Sequence, residues 1–549
     1  MRRKKKKIAI LGGGVGGLTV AHQLLKSGEN YDITIYECNK QVGGLARSGR
    51  DKSGCAIEYC WRVFFGFYHN LLPLLHEIPL KDKNQKKNEK KKVVTDNLIR
   101  YANVTFDDTK SMMDTIKNGY NILYGLTSSD ARIDKLDDLS WWASLSGTSD
   151  VSVLRQVGPW LGMDRYKASY KSVIKVGMEM QLYRAALCGQ KDFVTSLPTS
   201  EAWFDHWVHF LRGQGVKIHL SHFVTRLVFG AHGEINRVWI TTPENRLISI
   251  EADEYVCALP VQVVARLIEQ SNKGAELMTV PYFSNLRILG ETCLHLQVAF
   301  QVFFSKPMLF GPGSEDGNEE NSVILVKSPW DLIILRMDIY DQDGHTKLCF
   351  QDTKAKGGWS IACCTGYTPG LIYKKPFRSC TFSEIRQEIW AQIVNSTTFL
   401  DQLEKVNGFP LTSDLITHWS PLWETFDWNE QGQIYTTEPK FTNNAGSGSI
   451  RPSFRSPIRN MWISTAYIHE TIDIFSMEAA CIAGKRVAAA IIGNAKAEEP
   501  KILPRPWLMA PFRFVDRALF AMHLPNIGPI LFLLVAALVV VAVVLGVIL

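Results

Sequence analysis

The stretch from Lys7 to Gly17 constrains the fold more than any other part of the chain. KIAIL runs directly into GGGVGG, and LTVAHQLLKSG follows with apolar residues at helical spacing. A short apolar run that stops at glycines reads as a buried strand, and the segment after it as a helix. Gly12, Gly14 and Gly17 fit G-x-G-x-x-G. The first glycine permits the tight turn, the second lets a pyrophosphate approach the backbone, and the third lets helix and strand pack closely. The helix N-terminus then offers free N–H groups and a partial positive charge to phosphates. DITIYE supplies a second strand ending at Glu37, twenty residues after Gly17. A carboxylate there accepts hydrogen bonds from ribose hydroxyls, and it repels a 2′-phosphate, which argues against NADP. Strand, glycine turn, helix, strand and acid together predict a dinucleotide site.

NKQVGGLARSG follows at once. Gly43, Gly44 and Arg47 resemble the G-G-x-x-x-S/T element of the FAD-dependent amine oxidase-like flavoproteins. The resemblance implies FAD rather than NAD, with Arg47 on the pyrophosphate, where a guanidinium fork forms charge-assisted bonds. The segment from Ala56 to Ile78 is similar to one that runs beside the flavin in the phytoene and zeta-carotene desaturase branch. Glu58, Val63, Phe64, Phe65, Gly66, Tyr68, Asn70 and Leu71 agree, whereas Cys60, Trp61 and Arg62 depart, Arg62 standing at a histidine-like position. The resemblance further implies that the strand around Val224 returns to the dinucleotide sheet with its backbone on the adenine, and that Ala258 to Pro260 ends another strand of that sheet. Asn460 to Ile492 resembles the C-terminal flavin signature through Met477, Glu478, Ala480, Gly484 and Arg486. Ser464, Thr465 and Ala466 replace its A-G-D, and Ala479 replaces a glycine. These departures are expected either to weaken FAD binding or to leave Thr465 to complete the site through its hydroxyl.

The fold class that follows is α/β: a Rossmann-like FAD-binding domain of the GR2-type flavoprotein fold, interleaved with an α+β substrate domain, plus a C-terminal transmembrane helix. The FAD-binding parts are expected at 1–108 (with a lysine-rich insertion at 80–92), 191–270 and 456–494. The substrate domain takes 109–190 and 271–455, and Leu286 to Met308 alternates as a strand would. Residues 495–529 form an amphipathic linker and 530–549 a membrane anchor.

At 549 residues the chain has room for such paired domains. The net charge of +7 is local rather than spread, sitting in Arg2–Lys7 and Lys81–Lys92. Nucleic-acid binding needs basic residues dispersed over a folded face, and that pattern is absent from the sequence. Ile530 to Leu549 carries no polar or charged side chain, and a helix of that length spans roughly 30 Å, the thickness of bilayer hydrocarbon. Before it, Trp507, Phe512, Phe514, Leu519 and Phe520 alternate with Arg505, Arg513 and Arg517, a mix suited to the headgroup layer. Arginines on the N-terminal side of the span put the large domain on the cytoplasmic side of a single-pass anchor. The eleven cysteines include no C-x-x-C pair and no zinc spacing, and a reducing compartment is the simpler inference.

The expected activity is an FAD-dependent oxidoreductase that dehydrogenates, desaturates or isomerises a lipophilic, isoprenoid-like substrate by hydride transfer to flavin N5, with the lipid bilayer as the other partner. No metal and no nucleic acid are expected. Arg62 is the candidate catalytic residue, as a cation able to stabilise reduced flavin; a structural pairing with Glu58 is the alternative. The cofactor-binding set is Gly12, Gly14, Gly17, Glu37, Gly43, Gly44, Arg47, Val224, Thr465 and Glu478. Lys306 resembles the lysine that amine oxidases hold near the flavin, but it sits beside Pro307 and reads more simply as a surface residue. A flavin amine oxidase and a non-catalytic membrane-anchored structural protein remain the alternatives.

Overall fold

The computed structural model describes the chain except residues 1–4, 61, 82–91, 107–111, 145–160, 183–190, 312–319, 342–347, 351–353, 470–471, 494–495, 503–504, 529, 532, 535–536 and 538–549. Trp61, most of the lysine insertion and most of the expected membrane span therefore lie outside the described residues.

β1 (Lys6–Leu11), α1 (Val15–Lys26) and β2 (Tyr31–Tyr36) form the first crossover. β1 lies at the centre of a five-stranded parallel sheet. Its order is Met461–Ile463, Glu254–Cys257, β1, β2, Lys217–His219. Three distant stretches of sequence thus build one dinucleotide-type sheet. β1 is buried from Ile8 to Leu11, as a central strand covered on both faces must be. α1 packs closely against α2 (Met477–Ile492), because glycines remove the side chains between them. A Cβ at Gly484 would lie 2.8 Å from Gly16 O, and one at Gly16 would lie 2.1 Å from Ser464 O.

A six-stranded sheet forms the second domain. Its order is Ile416–Trp419, Val298–Phe304, Gly357–Cys363, Leu332–Arg336, Ser322–Leu325, Asn103–Phe106. Only the Ser322–Leu325 and Asn103–Phe106 pair is parallel. Every residue of Val298–Phe304 is buried, so this strand runs through the core.

Four expectations need correction. Val224 does not return to the parallel sheet. It belongs to Phe223–Phe229 in a separate three-stranded antiparallel sheet, and Lys217–His219 is the strand that joins β2. The chain turns at Ser221, φ +56°, between the two sheets. Leu286 does not begin a strand. Pro281–Thr292 is a helix with proline in its first turn, burying Phe283, Leu286 and Leu289 at a spacing of three. Cys55 and Cys349 form a disulfide across 294 residues. An antiparallel bridge between those two residues brings them together, which no local spacing rule reveals.

The fourth correction concerns the C-terminal linker. The helix Ala510–Ala521 docks on the protein by its polar side. Buried Asp516 accepts from Ser129 N, Arg132 Nε and Asn526 Nδ2. Arg505 turns inward to the carbonyls of Gly125 and Ser128 and Arg513 to those of Leu126 and Pro506, so both reach the C-terminal end of the helix Met112–Thr127 instead of facing headgroups, while Arg517 stays exposed. The outer face carries large apolar side chains beside Arg517: Trp507 is 79% exposed and Phe514 77%. Among the described residues no helix is long and apolar enough to cross a membrane.

Candidate active site

The glycine turn behaves as its spacing requires. Gly12 has φ +104°, and a Cβ there would lie 2.4 Å from Ala258 O. One at Gly17 would lie 2.3 Å from Gly12 O. Gly14 differs, because a Cβ there meets nothing within 4 Å. Gly14 is the N-cap of α1, makes no side-chain cap and has no acid in the first turn after it. Open space at a helix N-terminus with uncapped N–H groups is an anion site. Glu37 stands beside it, Oε2 accepting from Gly13 N at 2.7 Å and Oε1 from Asn39 N at 2.9 Å.

The second glycine pair closes the other side. Gly43 has φ +116° and donates its N–H to Gly13 O, while a Cβ at Gly44 would reach Gly14 Cα at 3.6 Å. Arg47 is fully buried. It pairs with Glu438 through Nη2 at 2.7 Å and Nη1 at 3.1 Å, and donates from Nη1 to Gly44 O. Among the described residues three polar atoms around this cradle lack a hydrogen-bond partner: Arg47 Nε, Ser464 Oγ and Thr465 Oγ1. Burying such groups unpaired is costly. The open cradle, the waiting acid and these spare groups fit a phosphate-bearing dinucleotide. Gly12, Gly14, Glu37, Gly44, Arg47 and Thr465 would hold it.

Glu478 takes another role. Its buried carboxylate accepts from Asn70 N, Asn70 Nδ2 and Leu71 N, all at 2.8 Å. It therefore anchors the start of the helix Leu71–His76 on α2. Burial pushes it up to about 7 despite those three donors. Ser476 caps α2 by accepting from Ala479 N, and both Ser476 and Met477 face a cavity.

This cavity of ≈ 160 Å³ lies between the two domains. Leu45, Ala46, Ser476 and Met477 bound it on the dinucleotide side, and Leu161, Gly162, Gln297 and Lys440 on the substrate side. Val63, Phe65 and Tyr68 from the desaturase-like segment line the wall between them. Arg62 also faces the cavity. Its guanidinium donates to the carbonyls of Leu45 and Cys60. Glu58 accepts from Thr199 N at 2.9 Å and Tyr340 OH at 3.3 Å. Burial pushes Glu58 up to about 7, partly opposed by Thr199 and by the Arg62 charge.

Lys440 is the site residue that the sequence did not reveal. It lies in a two-residue strand, Lys440–Phe441, in no recognisable motif. Nζ donates to Gly162 O at 2.9 Å and approaches Gln297 Oε1 at 3.4 Å. Gly162 has φ +58°, a left-handed conformation that favours glycine, and it leaves room for Nζ. Burial pushes Lys440 down to about 8. Lys306, by contrast, is exposed, with Nζ over the Phe409 ring. Asp51, Cys55 and His418 form a group with metal-ligand spacing, but the Cys55 sulfur is committed to the disulfide.

Comparisons with known proteins agree with this geometry. The chain is 23% identical to a zeta-carotene desaturase of Zea mays over 542 residues, covering 90% of this chain and 84% of that one. It is 23% identical to a probable zeta-carotene desaturase of Synechococcus elongatus over 523 residues, covering 88% and 98%. A redesigned putrescine oxidase shares the fold at TM-score 0.57 and 15% identity, covering 89% and 99%. Cyclohexylamine oxidase from Brevibacterium oxydans does so at TM-score 0.53 and 14% identity, also covering 89% and 99%. The family described as flavin containing amine oxidoreductase matches residues 15–492. The chain belongs to that family and is an FAD-dependent oxidoreductase of its desaturase-like branch.

Proposed function

We propose that this enzyme dehydrogenates or desaturates a lipophilic, isoprenoid-like substrate taken from a membrane. The observation that carries this reading is a mainly apolar cavity whose lining joins Leu45 and Ala46, next to the Gly43–Gly44 turn, to Val63, Phe65 and Tyr68 of the desaturase-like segment. Bound FAD supplies the two-electron acceptor. The chain's own residues hold the substrate and exclude water, with Leu45, Val63, Phe65 and Met477 as the apolar walls. Arg62 contributes a fixed positive charge to the same cavity.

The similarity to zeta-carotene desaturases supports a long apolar substrate. The exposed Trp507, Leu508 and Phe514 support contact with a lipid surface. The apolar run Ile530–Leu549 follows the helix Ala510–Ala521 in the sequence, and we place it in the bilayer as a single-pass anchor. An amine oxidase is the weaker reading, since a protonated amine entering the cavity would meet Arg62 and Lys440. No Asp or Glu lines the cavity among the described residues.

The test is anaerobic mixing of the detergent-solubilised holoenzyme with isoprenoid polyenes and, separately, with simple amines and polyamines. Bleaching of the flavin by polyenes alone is the expected result. Bleaching by amines, with peroxide formed in air, would replace this reading with the amine oxidase one.

A further inference from the structure

A cavity built only for a hydrocarbon has no use for a second cation beside Arg62, whose charge is assigned to the flavin. Lys440 and Arg62 both face this one, and among the described residues no carboxylate lines it. Among the described residues Lys440 is held by uncharged acceptors alone, Gly162 O at 2.9 Å, Gln297 Oε1 at 3.4 Å and Leu161 O at 3.5 Å. Three acceptors facing three N–H bonds suit the ammonium form and leave its charge unneutralised. Burying such a charge without a counter-ion is costly. The strain on it is visible in the downward push by burial to about 8. The nearest acid along the chain, Glu438, is spent on Arg47 and Asn39. Lys440 belongs to the substrate-domain part of the lining, Ser476 and Met477 to the dinucleotide-domain part. An apolar ligand ending in an acid would bring the missing charge.

We infer that Lys440, with Arg62 beside it, recognises a carboxylate at the end of an otherwise apolar substrate, so the preferred substrates are lipophilic acids rather than pure hydrocarbons. The inference rests on the reading of this cavity as the substrate site. Lys440 acts as a specificity residue, and the exchange of uncharged acceptors for a carboxylate oxygen is where its selectivity arises. A charge-assisted hydrogen bond of this kind is worth about 10- to 100-fold in affinity.

The experiment uses the full-length holoenzyme in detergent and three probes of equal chain length: geranylgeranoic acid, its methyl ester and the corresponding hydrocarbon. Binding is read from the perturbation of flavin absorbance and from tryptophan quenching. The acid is expected to bind at least about tenfold more tightly than the ester, with Lys440→Met reducing it to the ester's level and leaving ester and hydrocarbon unchanged. Equal binding of acid and ester by the unmodified protein overturns the inference without any variant. So does a Lys440→Met protein that loses affinity for all three alike, or one whose free-enzyme flavin spectrum shifts while the acid preference persists. Flavin bleaching by polyene hydrocarbons without an acid preference would sink this inference and leave the proposed function standing. Acid binding through Lys440 with no lipid able to reduce the flavin would do the reverse.

Discussion

The two walls of the central cavity are made in different ways. The dinucleotide wall is backbone chemistry: Gly12, Gly14, Gly43 and Gly44 set φ angles and clearances, and one acid, Glu37, lies within a short stretch of sequence. The substrate wall is side-chain chemistry assembled from afar. Gly162, Gln297 and Lys440 come from three separate segments and meet only because of the six-stranded sheet and its flanking pairs. Backbone sites are tied to spacing along the chain and tolerate little change. Side-chain sites are free to diverge residue by residue, which is how one fold hosts many substrates.

The sharpest way to break that contrast is at Gly14. Gly14→Val places a side chain in open space, so the apoprotein is expected to keep its thermal stability while FAD affinity falls more than about 100-fold, since the pyrophosphate needs that space. Gly12→Ala should lose both, because its Cβ meets Ala258 O. Thermal melts beside FAD titrations separate the two. If Gly14→Val bound FAD normally, the cradle would lie elsewhere.

Arg62 tests the junction of the walls. Arg62→Met is expected to retain FAD and to slow flavin reduction by about 10- to 100-fold, measured in single-turnover mixing. An unchanged rate would reduce Arg62 to a clamp on the Leu45 and Cys60 carbonyls. Glu37→Gln should weaken FAD by about tenfold, because a neutral amide keeps some bonds to Gly13 and Asn39 but loses the charge. Equilibrium dialysis checks it.

The smallest effect concerns stability. Glu58 sits in the fold at about 7, above the usual carboxylate value of 4.5, chiefly through burial. The folded state therefore holds its proton more tightly than the unfolded chain. The stabilisation is full below the ordinary value and is lost as pH rises through about 7. The difference in unfolding free energy between the native protein and Glu58→Gln should shrink by about 3 kcal/mol across that window. Denaturant titrations at several pH values read it. A flat difference would mean that Glu58 stays charged in the fold.

The dinucleotide half was largely legible in the sequence, since G-x-G-x-x-G, the acid at Glu37 and the Gly43–Gly44 pair each encode a local backbone requirement. Glu478 was legible as conspicuous but not by role. Its partners Asn70 and Leu71 lie about 400 residues away, so only the fold shows that it caps a helix. Val224 was misplaced because one turn at Ser221 decides which sheet a strand joins. Lys440 was invisible, since a lone lysine in TTEPKF looks like any exposed lysine until Gly162 and Gln297 close around it. Arg505 and Arg513 of the C-terminal linker misled for a related reason: an amphipathic pattern reveals two faces but not which one meets the protein.

The most direct test is the absorption spectrum of the detergent-purified full-length protein, with the cofactor released by heat and identified. One FAD per chain, absent from Gly14→Val, is the expected result. A protein with no flavin, even after reconstitution with FAD, would contradict the cradle built from Gly14, Glu37 and Arg47 and with it the oxidoreductase reading.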